Sequence, residues 1–517
     1  QKLTLNFGLR YEYEQGLQER DNQITVGFDP TATFPVQPAG LNVKGGLIFA
    51  GVNSAPTQQV RPQKNKFGPR LGFAYTWNEK TTIRGGYGIL WAPAIFSLGP
   101  TVDGYGALGF SAVTNMVTSL DGGLTPANFL SNPFPAGLTR PSGSSRGLLT
   151  QVGQNVSFVD QNRAAAYMQQ YSLDIQRELP GNIALTVGYV GSRGTNLQLG
   201  GISNGAMNIN QLAPQFMSRT DLQTRVANPF FGTAAGVGIL SSATVSQAQL
   251  LRPFPQFGDV LMLGTSGGNS FYNAATVKAQ KRFSKGFSLL TAYTFSKLLD
   301  NITGNGNFFS PDNTSAVIDM YNRTRDYSLS SVDTPHRFTL SGAYELPFGR
   351  GRAFLTGANG LVDRFVSGWQ LNGIVTSQSG FPLSITQQVN NTNAFSLGQR
   401  PNVVLGVDPA TSGSVNQRID AYLNPAAFTA AAANTFGNAP RTLGVRSPNT
   451  RLVDLSVIKN TRIIEGFNAQ FRLEAVNAFN TPVFRAPNTQ FGNPNFGRIT
   501  SQANFARIVQ LSVRLMW

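Results

Sequence analysis

His336 is the single imidazole of the chain, and Asp333 stands three residues before it. An aspartate that orients a histidine is the arrangement that activates a serine nucleophile, so this pair is the sequence's one enzyme alternative. No G-x-S-x-G elbow accompanies it and Pro335 stiffens the link, which favours a structural strand-start residue over a general base. Four acids in the same region, Asp312, Asp319, Asp326 and Asp333, invite a calcium reading, because calcium takes several carboxylate and carbonyl oxygens. Their spacing is too wide for an EF-hand loop and Arg323 and Arg325 lie among them, so a solvated loop with local ion pairs is expected, with calcium left open. Gly304-Asn305-Gly306 lacks the rest of a dinucleotide fingerprint and its strand-to-helix setting. With no cysteine there is neither a disulfide nor a thiolate metal site, and no catalytic residue, metal ligand or cofactor is assigned.

The other chemistry-bearing side chains are basic. Arg10, Arg70, Arg84, Arg472 and Arg514 recur at the polar positions of alternating segments, where they could line a path for anionic solutes. The alternative, weighted equally, is pairing with acids such as Glu12, Asp174, Glu345, Asp454 and Glu474. The net charge is +16, from 41 Lys and Arg against 25 Asp and Glu. Its cations are scattered, apart from Lys278, Lys281, Arg282 and Lys285, whereas a nucleic-acid protein concentrates them on one face, so no nucleic-acid partner is expected. Lipopolysaccharide or another acidic ligand fits dispersed charge better.

The elements that must position these residues are strands. At the end of the chain Val509, Leu511, Val513, Leu515 and Trp517 are apolar while Gln510, Ser512 and Arg514 are polar, giving one face for lipid and one for water. The first strand is as clear: Leu3, Leu5, Phe7, Leu9, Tyr11 and Tyr13 alternate with polar residues over a length that crosses a bilayer when tilted. Further alternating segments run through Leu71–Trp77, Ile83–Trp91, Tyr171–Ile175, Ile183–Tyr189, Ala275–Phe283, Phe287–Phe295, Phe338–Leu346, Trp369–Val375, Val453–Val457 and Phe467–Ala475. About twelve strands result. Short turns such as Asn78-Glu79-Lys80, Ser284-Lys285-Gly286 and Glu465-Gly466 alternate with long loops rich in Gly, Pro, Ser and Asn; the connection from Leu346 to Ser367 is the one longer turn. That asymmetry is the pattern of outer-membrane barrels, with short periplasmic turns and long extracellular loops. Aromatic residues at strand ends (Tyr75, Trp77, Trp369, and opposite them Tyr11, Tyr13 and Trp91) are placed for two interfacial girdles. No uninterrupted apolar run of about 18 residues exists, which excludes a transmembrane helix and leaves the barrel untouched. The expected fold is all-β: an antiparallel transmembrane β-barrel domain occupying residues 1–517.

Specific stretches resemble the Oar-like TonB-dependent transporters: Gln169-Gln170-Tyr171-Ser172-Leu173, Gly188-Tyr189-Val190-Gly191-Ser192, Ala292-Tyr293-Thr294-Phe295-Ser296-Lys297 and Asp333-Thr334-Pro335-His336-Arg337-Phe338. Gly368-Trp369-Gln370-Leu371-Asn372-Gly373 and Glu474-Ala475-Val476-Asn477-Ala478-Phe479-Asn480 add to them. The resemblance implies a barrel of 22 strands of which these twelve are the last, preceded in such proteins by a signal peptide, a carboxypeptidase-regulatory-like domain, a TonB box and a plug, none of which this sequence contains. It implies energy-coupled uptake of a large or scarce nutrient, driven by the TonB complex through those missing parts; the nutrient is not readable. The alternatives are a complete twelve-stranded passive pore and a surface adhesion protein acting through its loops. The terminal strand resembles the signal read by the barrel-assembly machinery. If the segment is part of a larger barrel, its sheet is expected either to stay open or to force the strands Leu3–Tyr13 and Val509–Trp517 together.

Overall fold

The computed structural model describes residues 2–92, 106–199, 207–302 and 316–517. Asp312 and Gly304-Asn305-Gly306 lie outside the described residues. Twelve long strands form one antiparallel sheet in chain order: β1 (Leu3–Glu14), β2 (Gln63–Asn78), β3 (Thr81–Trp91), β4 (Tyr167–Leu179), β5 (Ile183–Gln198), β6 (Ser266–Ser284), β7 (Phe287–Asp300), β8 (His336–Glu345), β9 (Trp369–Gln378), β10 (Thr450–Ile464), β11 (Phe467–Val476) and β12 (Ile508–Met516). Every neighbouring pair is consecutive, as a meander requires. β1 pairs with β2 and β12 with β11, and among the described residues β1 and β12 do not pair with each other. The sheet is therefore open, and the full ladder between its ends that a closed twelve-stranded pore needs is not formed.

Strand positions agree with the alternation in the sequence, but several strands are longer. β6 begins at Ser266 and β5 runs to Gln198, so the third loop is residues 199–265. The extra length is polar and continues the ladder beyond the apolar stretch, where periodicity gives no sign of it. The turns follow their chemistry: Lys285 and Gly286, both at positive φ, join β6 to β7 in the two-residue geometry whose twist matches paired strands. The connection between β8 and β9 is not a plain turn. It holds a short helix, Gly360–Val366, whose Asn359 side chain caps the Val362 amide at 3.0 Å.

The sheet has almost no interior of its own. Phe7 is 85% exposed and Leu511 77%, and most large apolar side chains of the strands are likewise uncovered. A patch of that extent is stable only in an apolar medium, which a bilayer supplies. The compact cores sit in the loops instead. Phe28, Phe34 and Phe49 of the first loop pack with Val156 and Phe158 of the second and Phe230, Phe254 and Phe257 of the third. Leu383, Tyr422 and Phe428 of the fifth loop pack with Ile499 of the sixth, and Leu212 and Leu222 meet Ala394 to bridge third and fifth. Long segments read as polar and Gly/Pro-bearing thus form a folded canopy over one end of the sheet, with its own hairpin, Thr25–Thr33 against Lys44–Phe49.

Candidate functional site

Directly opposed residues of antiparallel strands share a face, so the register assigns each side chain a side. Arg10 lies opposite Gly68, Arg70 opposite Gly8 and Gly88, and Arg84 opposite Ala74 and Asp174. Arg472 lies opposite Ile458 and Ser512, and Arg514 opposite Gln470. Followed strand to strand, these pairs put all five arginines on one face, with Glu12, Asp174, Glu345, Asp454 and Glu474 beside them. The opposite face carries Leu5, Phe73, Leu173, Val187, Tyr293, Phe338, Val375, Leu455 and Phe471.

Pairing on the polar face is sparse. Arg10 Nε meets Glu12 at 2.9 Å, and it is the one member of the five that forms an ion pair among the described residues. Arg472 Nε donates to Gln470 Oε1 at 2.6 Å, and Gln470 in turn donates to Asn460 at 2.7 Å, which holds the guanidinium along the wall. Glu345 is taken by Arg352 at 3.3 Å, and Asp454 accepts from the Asn477 amide at 2.8 Å. Asp174 lies over Gly188, where a Cβ would fall 1.9 Å from its Oδ1, so glycine at 188 makes room for the carboxylate opposite Arg84. A hollow of about 510 Å³ opens on this side toward the turn end, lined by Gln280, Ser288, Ser341 and Asn372.

The C-terminal residues take the other face. Val509, Leu511, Val513 and Leu515 lie opposite Ala475, Leu473, Phe471 and Ala469, and Trp517 follows the last paired residue, exposed. Aromatic pairs gather at both ends of the apolar face: Trp91 packs on Tyr167 at 5.1 Å and donates to the Phe67 carbonyl at 2.9 Å at the loop end, while Phe287 meets Tyr344 at 6.1 Å at the turn end.

The catalytic pairing is not formed. His336 begins β8 with Nδ1 2.7 Å from the Tyr293 hydroxyl and its ring against Phe295. Asp333 turns elsewhere, accepting from the Leu298 amide at 2.6 Å and from Arg446 at 2.5 Å. The expectation of a solvated acidic loop is corrected here. Asp319, Asp326 and Asp333 are buried, and the partners of the last two include arginines far along the chain. Arg400 meets Asp326 at 2.5 Å, Arg323 joins it at 2.7 Å, and Arg441 bonds both Asp300 and the Asp326 carbonyl. Burial pushes the Arg400 and Arg323 guanidinium pKa values down, against the pull of Asp326. Carboxylates already ion-paired with arginines, as Asp326 and Asp333 are, are poorly disposed to take a cation. Sequence reasoning missed Arg400, Arg441 and Arg446 because their partners lie 74, 141 and 113 residues away; no local spacing signals such contacts.

Among solved structures, the fold is similar to the outer membrane transporter YddB from Escherichia coli, at 10% identity and a TM-score of 0.42, covering 88% of this chain and 41% of that one. It is also similar to BauA, the ferric preacinetobactin receptor from Acinetobacter baumannii (10% identity, TM-score 0.38, 100% and 40% covered), and to the FrpB iron transporter from Neisseria meningitidis (10%, 0.36, 88% and 39%). The chain thus spans about two fifths of the length of these structures. No protein of curated function matches it in sequence. Family assignment rests on the sequence: residues 1–510 match the outer membrane beta barrel domain model. With that match spanning nearly the whole of an open, two-faced antiparallel sheet, the chain belongs to the outer membrane beta-barrel domain family, and its place is the outer membrane of a Gram-negative bacterium.

Proposed function

We propose that this chain is barrel wall of an Oar-like TonB-dependent transporter or receptor, in which the polar face with Arg10, Arg70, Arg84, Arg472 and Arg514 borders the path of an imported solute. The observation that carries the reading is the combination of a sparsely paired basic face with a canopy of packed loops above it. A guanidinium without a carboxylate partner is available to an anionic group on a solute or on a plug, and folded loops present fixed contacts for selecting it. Energy coupling by the TonB complex belongs to the full-length protein, and the barrel-assembly machinery and lipopolysaccharide are its membrane partners. The reading is transport rather than catalysis. The test is uptake by the native bacterium: deleting the gene and deleting TonB should give the same growth defect on the limiting nutrient, and the two defects should not add. A steady open-pore conductance from this chain in planar bilayers, independent of TonB in cells, would replace it with the passive pore.

Adhesion remains a second reading because of one observation. Leu120, Leu124 and Leu130 of the second loop are 84–88% exposed, outside either loop core. Deleting 115–131 and measuring cell attachment tests this, whereas deleting Gly191 to Asn269 would remove core residues Phe230, Phe254 and Phe257 and collapse the canopy.

A further inference from the structure

The Gly360–Val366 helix leaves an apolar crevice of about 870 Å³ at the turn end of the sheet, bordered by β9 to β12. Phe365, Trp369, Phe471, Leu511 and Val513 line it with three basic residues, Arg364, Lys459 and Arg472, of which the register turns Arg472 to the opposite face and leaves Arg364 and Lys459 on this one. Lys459 is anomalous. Its register partners Trp369 and Phe471 place it on the apolar face, where it is buried. Its ammonium donates to the Ser367 carbonyl and lies 5.7 Å from the Trp369 ring, whose indole is in turn fixed by the Phe365 carbonyl at 2.7 Å. Neither Lys459 nor Arg364 forms a salt bridge among the described residues, and the nearby Asp363 carboxylate is engaged by the Arg350 amide at 2.6 Å. The strand carboxylates Glu12, Asp174, Glu178, Asp300, Glu345, Asp454 and Glu474 all take the other face.

An apolar hollow opening on the lipid face is filled by what surrounds it, and at this depth that is acyl chain. Two cations at its wall, against the single nearby carboxylate of Asp363, leave a net positive charge that selects the headgroup. We propose that the crevice is a binding site for one anionic glycerophospholipid of the periplasmic leaflet, its acyl chain lying between Phe365 and the β11–β12 surface and its phosphate meeting Arg364, with Lys459 adding buried positive charge. Burying a lysine on a lipid face is costly unless it is paired or snorkels to carbonyls, and here it does the latter while keeping its charge beside the crevice. The site rests on the membrane placement of the apolar face.

The test uses the tryptophans as depth probes. Two single-tryptophan forms of the chain, one keeping Trp369 and one keeping Trp77, are reconstituted in vesicles of phosphatidylcholine containing a minority of brominated phosphatidylglycerol, brominated phosphatidylcholine or brominated lipid A. Trp369 should be quenched by brominated phosphatidylglycerol at about fivefold lower mole fraction than by brominated phosphatidylcholine, the preference expected of one cation for a net anionic headgroup over a zwitterionic one. That preference should vanish in Arg364→Gln, whose exposed side chain is not needed for folding. Trp77, exposed at the same end on the apolar face, reports insertion and should be quenched by both phospholipids alike. Equal quenching of Trp369 by the two phospholipids, preference for lipid A, a preference that survives Arg364→Gln, or a Trp369 shielded from all of them would each overturn the lipid site. If Trp77 also resists quenching, the membrane placement itself fails.

Discussion

Arg400 and Asp326 meet at 2.5 Å with both side chains sealed from solvent, joining the fifth loop to the fourth across 74 residues. Removing one partner leaves the other charged and buried. Arg400→Leu should therefore cost about 3–5 kcal/mol of canopy stability, eased in part by Arg323, which also holds Asp326. Replacing both as Arg400→Leu with Asp326→Leu should cost much less. Protease sensitivity of the fourth and fifth loops in folded protein is the readout, and equal damage from the single and double variants would show that the pair is not what holds them.

Adjacent residues on β4 should respond oppositely to the same change. Leu173 is on the apolar face and Ser172 on the polar one, at mid-strand. Leu173→Arg should cost about 2–4 kcal/mol of folding stability in bilayers, the range for arginine at the lipid midplane. Ser172→Arg should be tolerated, since its side faces water. Urea unfolding of the reconstituted protein compares the two directly.

Deleting Leu515 to Trp517 removes the last apolar pairing of β12, Leu515 against Ala469, together with the terminal indole. Assembly into the outer membrane should then fall steeply in cells, while detergent refolding of purified protein, which needs no recognition, should suffer less. Normal assembly of the truncated chain would remove the sorting role from this segment.

Acid should loosen the first-loop hairpin. The Thr31 hydroxyl and amide bond Asp29 Oδ1 at 2.7 and 2.8 Å, and these bonds hold the carboxyl below its usual pKa. A folded pKa below the unfolded one gives stability that is present above about pH 4 and lost as pH falls through the folded value. Amide exchange at Thr31 and Ala32 should accelerate below that range in the native protein, and Asp29→Ala should exchange rapidly at every pH.

The sheet was readable because its signal is local. Leu3 to Tyr13 and Val509 to Trp517 show alternation without help from any partner, and Lys285-Gly286 names its own turn. Which face each of Arg10, Arg70, Arg84, Arg472 and Arg514 takes follows from parity alone. The canopy was not readable in that way. Val26 and Phe28 do alternate with polar neighbours, but the packing of Phe28 against Phe158 and Phe257 depends on three loops meeting. The buried arginines needed the same long-range knowledge, and the Gly360–Val366 helix is too short for its periodicity to stand out from a turn.

Because Phe28, Phe158 and Phe257 come from three different loops and share one core, those loops constitute a single heritable part. A new binding specificity cannot be grafted by exchanging one of them alone. Recombination between relatives would have to carry residues 15 to 265 together, strands included, so selection acts on this surface in blocks that span four of the twelve strands.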